Sequence, residues 1–414
     1  MPTGPDLARG PALTVPAGSL GLPGLKPAPL NPSQGFTETN IITLAVVGNP
    51  QLKAERLQAG VAHAQLLEAG LLPDPQISGG LSKSSFFTGY SAALAEDIQA
   101  LITRGAAKDA AATRVRQINL EILWQEWQVA ERARELFIEA QAASRLRGVL
   151  DRRRTVLGRL YHEDERSLKR RYVTVSDVTA DFAAWNAAET DWRAFELQEN
   201  QTQHALDELL GLAPGVRLPL QGAPEGLPIA SQQFRTALAA LPQHRADLLA
   251  LQAGYESEQQ RLREAILAQF PLISADVQKA RSAEEGIQTI GFDVTLTLPL
   301  FNRNRGPIAI GRATRAYLHQ AYQARLDQAV NQADQVFRAT QIMERQLKAL
   351  DGRLSGLERA AAAAHESLQR GNLSLADYAR VDSNALATEA EAIQLRASLE
   401  QAQAALATLL ALQF

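Results

Sequence analysis

The sequence predicts a mainly helical chain with a small β part, assembled from two similar halves. Three observations predict it. The second half repeats the first with a shift of 200 residues, each half ends in very long stretches of helical spacing, and each carries two short alternating segments at the same place. Val173-Thr-Val-Ser-Asp177-Val178 lies over Leu373-Ser-Leu-Ala-Asp377-Tyr378, and the register holds to Leu212 over Leu412. Upstream it slips by a few residues, so that Pro75-Gln-Ile77 lies over Pro271-Leu-Ile273. A period this long is no solenoid repeat; it predicts two halves related by a pseudo-twofold. The organisation expected is a Pro/Gly-rich extension over 1–38, a first repeat over 39–212, a connecting segment over 213–243 and a second repeat over 244–414.

Each repeat opens with a helical stretch rich in Ala, Gln, Glu and Leu, Asn49 to Leu72 and Arg245 to Ala268. The alternating segments come next. Ile290 to Leu298 places Phe292, Val294, Leu296 and Leu298 on one side and Asp293, Thr295 and Thr297 on the other. Its partner runs from Leu272 to Lys279, and weaker copies in the first half are Gln76 to Ser85 and Tyr90 to Ile98. The long helices expected are Gly105 to Tyr161 and Ser176 to Leu212, then Gly306 to Arg370 and Ser374 to Gln413. In the second half a narrow apolar seam passes through Leu326, Val330, Ala333, Val336, Thr340 and Met343 at steps of three and four, the spacing of a coiled coil. A helix of about 60 residues extends roughly 90 Å.

Alternation by itself fits two arrangements. In a soluble sheet the apolar face packs on a core; in a transmembrane barrel it meets lipid, and strands of about 9 to 11 residues suffice to cross. A closed membrane barrel needs at least about eight strands, because open edges leave backbone groups unsatisfied in hydrocarbon. Four strands in one chain therefore require several chains to share a barrel, and three copies bring twelve. The competing arrangement is a soluble coiled-coil scaffold or adaptor whose hairpins pack on its own helices.

Composition removes whole classes of function. The net charge is -3, against the basic excess a nucleic-acid binder needs, so no nucleic-acid partner is expected. There is no cysteine, hence no thiolate nucleophile, thiolate metal site, disulfide or lipid-modified cysteine. The six histidines are scattered singly, and no HExxH, GxSxG or P-loop pattern occurs, so neither an enzyme nor a cofactor is expected. His162-Glu-Asp-Glu165 reads as a solvated hairpin end rather than a metal site. With two methionines and no cysteine, soft-metal relay sites are not expected. No apolar run reaches the roughly eighteen residues of a transmembrane helix, and Met1 to Phe36, broken by eight prolines, does not read as a signal peptide.

Asn49-Pro-Gln-Leu-Lys-Ala, Leu71-Leu-Pro-Asp-Pro-Gln-Ile77, Leu296-Thr-Leu-Pro-Leu-Phe-Asn-Arg-Asn-Arg-Gly306 and Gln369-Arg-Gly-Asn-Leu-Ser-Leu-Ala-Asp-Tyr378, in this duplicated order, carry a resemblance over residues 39 to 413. The chain resembles the TolC-type outer-membrane efflux channels, particularly those serving heavy-metal and drug exporters of the resistance-nodulation-division type. The resemblance implies a homotrimer. Each protomer gives four strands to a twelve-stranded β-barrel in the outer membrane of a Gram-negative bacterium, and its helices form an α-barrel through the periplasm. It further implies a belt that includes Ala213 to Gln243, docking to a periplasmic adaptor and an inner-membrane pump, and an export signal either removed or upstream of Met1.

Carried over residue by residue, the resemblance puts Gly371, Leu373 and Ser374 at the adaptor-facing tip and Asp377 at a pore constriction, with Asp177 as its copy in the first half. A second family aspartate falls at Arg380, and Tyr172 stands where Gly371 sits in the other half. Two roles for Asp377 stay open side by side. Three copies would ring a pore, and one copy in a first helical turn behind Ser374 suits the helix dipole.

Overall fold

The structure, a computed structural model, describes residues 18–20, 28–30, 35–83, 85, 88–224, 226, 228–270, 272–282, 287–297 and 301–412. Short strands β1 (Gly18–Leu20) and β2 (Ala28–Leu30) pair antiparallel ahead of helix α1 (Glu38–Gly48). The first repeat continues with α2 (Pro50–Gly70), β3 (Gln76–Lys83), β4 (Thr88–Asp97), α3 (Ile98–Lys169) and α4 (Val175–Leu210). After α5 (Ser231–His244) the order recurs in α6 (Ala246–Leu267), β5 (Leu272–Arg281), β6 (Gln288–Thr297), α7 (Arg305–Gln369) and α8 (Leu375–Leu409). The order of helix, hairpin and long helical pair thus occurs twice along the chain. Leu298 and most of the connection from Ala280 to Gly286 lie outside the described residues.

Two compact units are distinguished, Met1–Lys53 with Gln125–Ala240 and Val330–Phe414, and Ala54–Trp124 with Leu241–Ala329. In the first, Phe36 bridges to Leu220, its N–H donating to the Pro219 carbonyl at 2.7 Å, and joins Ile41, Leu44, Leu136, Phe137 and Leu206 in a buried core. Gly48 approaches the end of α4 so closely that a Cβ would lie 2.5 Å from the Leu210 carbonyl oxygen. Next to it Asn49 has two tasks. Its Oδ1 accepts the Leu52 N–H at 2.9 Å, capping α2, and its Nδ2 donates to the Leu209 carbonyl at 3.0 Å. A second core seats Phe234 of α5 against Phe337 of α7, rings stacked at 4.1 Å. The α7 seam is inward here, with Ala333 and Thr340 buried.

In the second unit β3, β4, β5 and β6 form one antiparallel sheet in chain order, so β3 and β6 are its edges. Cross-strand register aligns Ile77, Leu94, Val277 and Phe292 on one face, with Leu81, Tyr90, Ile290 and Val294 in neighbouring rows. Among the described residues no helix covers that face. Ile77 is 82%, Leu81 85% and Ile290 77% exposed. The other face carries Ser78, Ser91, Gln278 and Asp293, Gln278 donating to the Asp293 carboxylate.

Two expectations need correction. α3 begins at Ile98 rather than Gly105, because Asp97 ends the strand and accepts the Ala100 N–H at 3.2 Å, starting the helix directly. It also runs through His162-Glu-Asp-Glu165 to Lys169 instead of turning there. The charges of this hairpin end pair along the helix, Arg166 with Glu163 at 2.9 Å and Lys169 with Glu165 at 3.8 Å.

Sequence spacing gave no hint of the buried charge cluster in the second unit. Asp247 accepts from Arg245 Nε at 2.8 Å and from Arg325 Nε at 2.6 Å, while both guanidiniums face the Trp124 ring at 4.6 and 5.9 Å. Arg245 is fully buried. Removing a carboxylate shared by two guanidiniums in such a place destabilises strongly. Asp247→Ala is expected to lower stability by about 3 kcal/mol, read as a shift of the urea midpoint at unchanged slope.

Candidate functional site

The sequence-derived site residues fall on the two turns that join α3 to α4 and α7 to α8. Both turns are built the same way. Tyr172 N–H donates to the Ser167 carbonyl and Arg171 N–H to Leu168, matching Asn372 to Ser367 and Gly371 to Leu368. This is the paired-bond helix ending that needs a left-handed residue. Gly371 has φ +74°, and its counterpart is Arg171 at φ +61°, not Tyr172. Glycine takes that conformation without steric cost, whereas an L side chain does not.

Behind the turns, Ser374 and Thr174 cap the next helices. Asp377 N–H donates to Ser374 Oγ at 3.0 Å, and Ser374 Oγ–H donates back to the Asp377 carboxylate at 2.7 Å. Thr174 and Asp177 repeat this with a reciprocal capping box, the Thr174 N–H reaching Asp177 Oδ2 at 2.9 Å. The Thr174 hydroxyl and amide hold the Asp177 carboxyl below the usual carboxylate range, with a smaller contribution from Arg380. The Asp177 carboxylate thus accepts a backbone N–H, whereas the Asp377 carboxylate is held by the Ser374 hydroxyl. Leu373 is half-buried between Gly371 and the cap.

Arg380 is the group that ties the two turns electrostatically. Its Nη1 lies 3.5 Å from Asp377 Oδ1, and its charge also acts on Asp177 and Asp181 of the first repeat. Asp181 was not singled out by sequence, because its neighbour Asp164 is 17 positions away on the opposite helix of the hairpin. Burial, followed by the hydrogen bond and the charge of Asp164, raises the Asp181 carboxyl to about 6, against the opposing effect of Arg380.

Below this pair lies an aromatic cluster. Tyr161 stacks on Trp185 at 5.2 Å and meets Phe182 at 5.3 Å, with His162 tilted against Trp185 at 5.4 Å. His162 Nδ1 is 3.9 Å from Glu165, its only carboxylate contact at salt-bridge range among the described residues. In the second hairpin the corresponding place is polar and more enclosed. Tyr378 donates to buried Asp382 at 3.3 Å, and burial and that carboxylate raise the Tyr378 hydroxyl. Among the described residues no three or more His, Asp or Glu side chains converge in a way that holds a metal ion, and no helix is long and apolar enough to cross a membrane.

A raised carboxyl favours the folded state while it keeps its proton. Its contribution is fully present below the unfolded value of about 4 and is lost as pH rises through about 6. Asp181→Asn, which donates without titrating, is expected to match the wild type in thermal midpoint near pH 4. Above about pH 6 it should become the more stable protein. A midpoint difference independent of pH contradicts the assignment.

Comparison with known proteins bears on the whole chain. Residues 237–412 match the family described as outer membrane efflux protein. No curated protein sequence matches the chain. Among solved structures, CusC, studied for folding and transmembrane channel formation, superposes with a TM-score of 0.73 at 17% identity over 97% of this chain and 98% of its own. The CmeC outer membrane channel of Campylobacter jejuni gives 0.72 at 15% identity over 97% of this chain and 94% of its own. The outer membrane protein VceC of Vibrio cholerae gives 0.71 at 17% identity over 90% and 96%. The chain therefore has the fold of these outer-membrane proteins over nearly its whole length, and its second half carries the sequence pattern of the outer membrane efflux family.

Proposed function

We propose that the protein is the outer-membrane exit duct of a tripartite efflux pump. It is a passive homotrimeric channel, without a catalytic residue or cofactor of its own. It conducts metal ions or drugs, handed over by an inner-membrane pump through a periplasmic adaptor, across the periplasm and outer membrane. The observation that carries this reading is the four-stranded sheet with an exposed apolar face and two unpaired edges. Such a sheet is a liability in water, but three copies closed edge to edge satisfy every strand and give the apolar face to lipid. The shared fold and the family match support the same role.

In this assembly the segment 213–243 belongs to the belt around the helical tube, and Gly371, Leu373 and Ser374 face the adaptor. Asp377, with Asp177 as its weaker partner, rings the narrow end of the pore. Three carboxylates at a constriction favour cations. Arg380, beside Asp377, offsets part of that charge.

Planar-bilayer recording tests the reading. The protein is expected to form discrete cation-preferring pores, Asp377→Ala to weaken the preference, and Arg380→Ala to strengthen it. Pores with unchanged selectivity in both variants remove the ring. A protein that stays soluble without detergent and opens no pores removes the duct, and favours a soluble scaffold.

A further inference from the structure

The charged residues of the sheet are divided between its faces in an unusual way. Asp97, Asp276 and Asp293 lie on the polar face, whereas Lys83, Lys279 and Arg281 all lie on the apolar one. Strand register puts the cations toward the hairpin turns. Lys83 pairs with Thr88 in the outermost row, Arg281 stands beside Tyr90 in the next, and Lys279 faces Ala92 and Ile290 in the third. Glu96 is on the same face near the opposite end, where the strands join the helices. Water-seeking cations on a polar face need no explanation, but here they occupy the face that carries Ile77, Phe292 and Val294. All three are exposed and have no ion-pair partner among the described residues.

We propose that Lys83, Lys279 and Arg281 form a basic girdle that binds the phosphate groups of phosphorylated glycolipid, lipid A, in the outer leaflet. The inference rests on the membrane reading above, in which the helices extend inward and the hairpin turns point outward. A lysine or arginine beside an apolar surface buries its methylenes there and carries its charge to the headgroup level. Basic residues near an anionic lipid surface each contribute a salt-sensitive attraction, and arginine engages two phosphate oxygens at once. Tyr90, beside Arg281, is of the aromatic type that settles at the interface. The opposite sign of Glu96 explains why the attraction belongs to one leaflet only.

The test uses the full-length protein reconstituted into phosphatidylethanolamine vesicles with or without about one tenth diphosphoryl lipid A. Lipid carried along on mild detergent extraction is then quantified. Wild type is expected to enrich lipid A over its bulk ratio by about fivefold for each engaged cation, with the enrichment falling as salt rises. The triple variant K83Q/K279Q/R281Q should insert equally well and return to the bulk ratio. Dephosphorylated lipid A should show no enrichment with either protein, and inorganic phosphate should compete weakly. Equal enrichment by variant and wild type, or none by wild type, overturns the girdle while leaving the membrane reading intact. Failure of wild type to enter either vesicle overturns the membrane reading and the girdle with it.

Discussion

Unpaired backbone groups at the edges of a small sheet are the constraint on which the rest of the structure depends. β3 and β6 each present a row of N–H and C=O groups with no strand beside it, and the face between them is apolar and uncovered. Each problem has a separate remedy in soluble proteins, a charged or bulged edge and a packed core. Here the face has no packed core among the described residues, and the edge strands carry one charge each, Lys83 on β3 and Asp293 on β6. Both problems vanish together when copies of the same sheet pair edge to edge within lipid, and a duplicated chain with two hairpins at equivalent places supplies such a sheet.

The helices answer to different physics. They are held by several separate apolar clusters, by small residues and by polar cross-links rather than by one large core. Ser257 donates to the Ala110 carbonyl at 2.8 Å, Gln401 to Glu139 at 3.1 Å, and Thr202 to Glu139 at 3.2 Å. Small side chains such as Ala253, Ala329, Ala333 and Ala379 are buried along with larger ones such as Leu160, Leu248 and Leu350. Long helices of this kind keep their polar surface for water, and so an averaged hydropathy hides the apolar face of the sheet. The turns at their ends are fixed by caps, and the charge there is finely balanced. The Asp177 carboxylate accepts from the Thr174 amide and the Asp377 carboxylate from the Ser374 hydroxyl, Arg380 acts on both, and burial beside Asp164 raises the Asp181 carboxyl.

Much of this was legible in the sequence. The 200-residue repeat gave the order of elements, alternation located the strands to within two or three residues, and Gly371-Asn-Leu-Ser374 marked a helix ending followed by a cap. What was missed has physical reasons. α1 and α5 are short and lie in Pro- and Gly-bearing stretches, so periodicity had too few turns to register. The long helix was expected to stop at Tyr161 because one-dimensional charge density does not reveal pairs at three and four residues. Arg171 was legible as the left-handed residue, since the 200-residue shift lays it over Gly371, and naming Tyr172 was a slip of one position. The Arg245, Asp247 and Arg325 cluster and the Asp164 and Asp181 pair are products of tertiary packing, invisible to spacing.

Closure of the sheet by copies of itself is the central claim, and the natural absence of cysteine makes it directly measurable. Single cysteines scanned along β3 and along β6 would be combined in pairs and oxidised in the detergent-extracted protein. Covalent ladders ending at three chains, seen only when one cysteine is on each edge strand, are the predicted result. Monomers at every pair of positions would contradict the account.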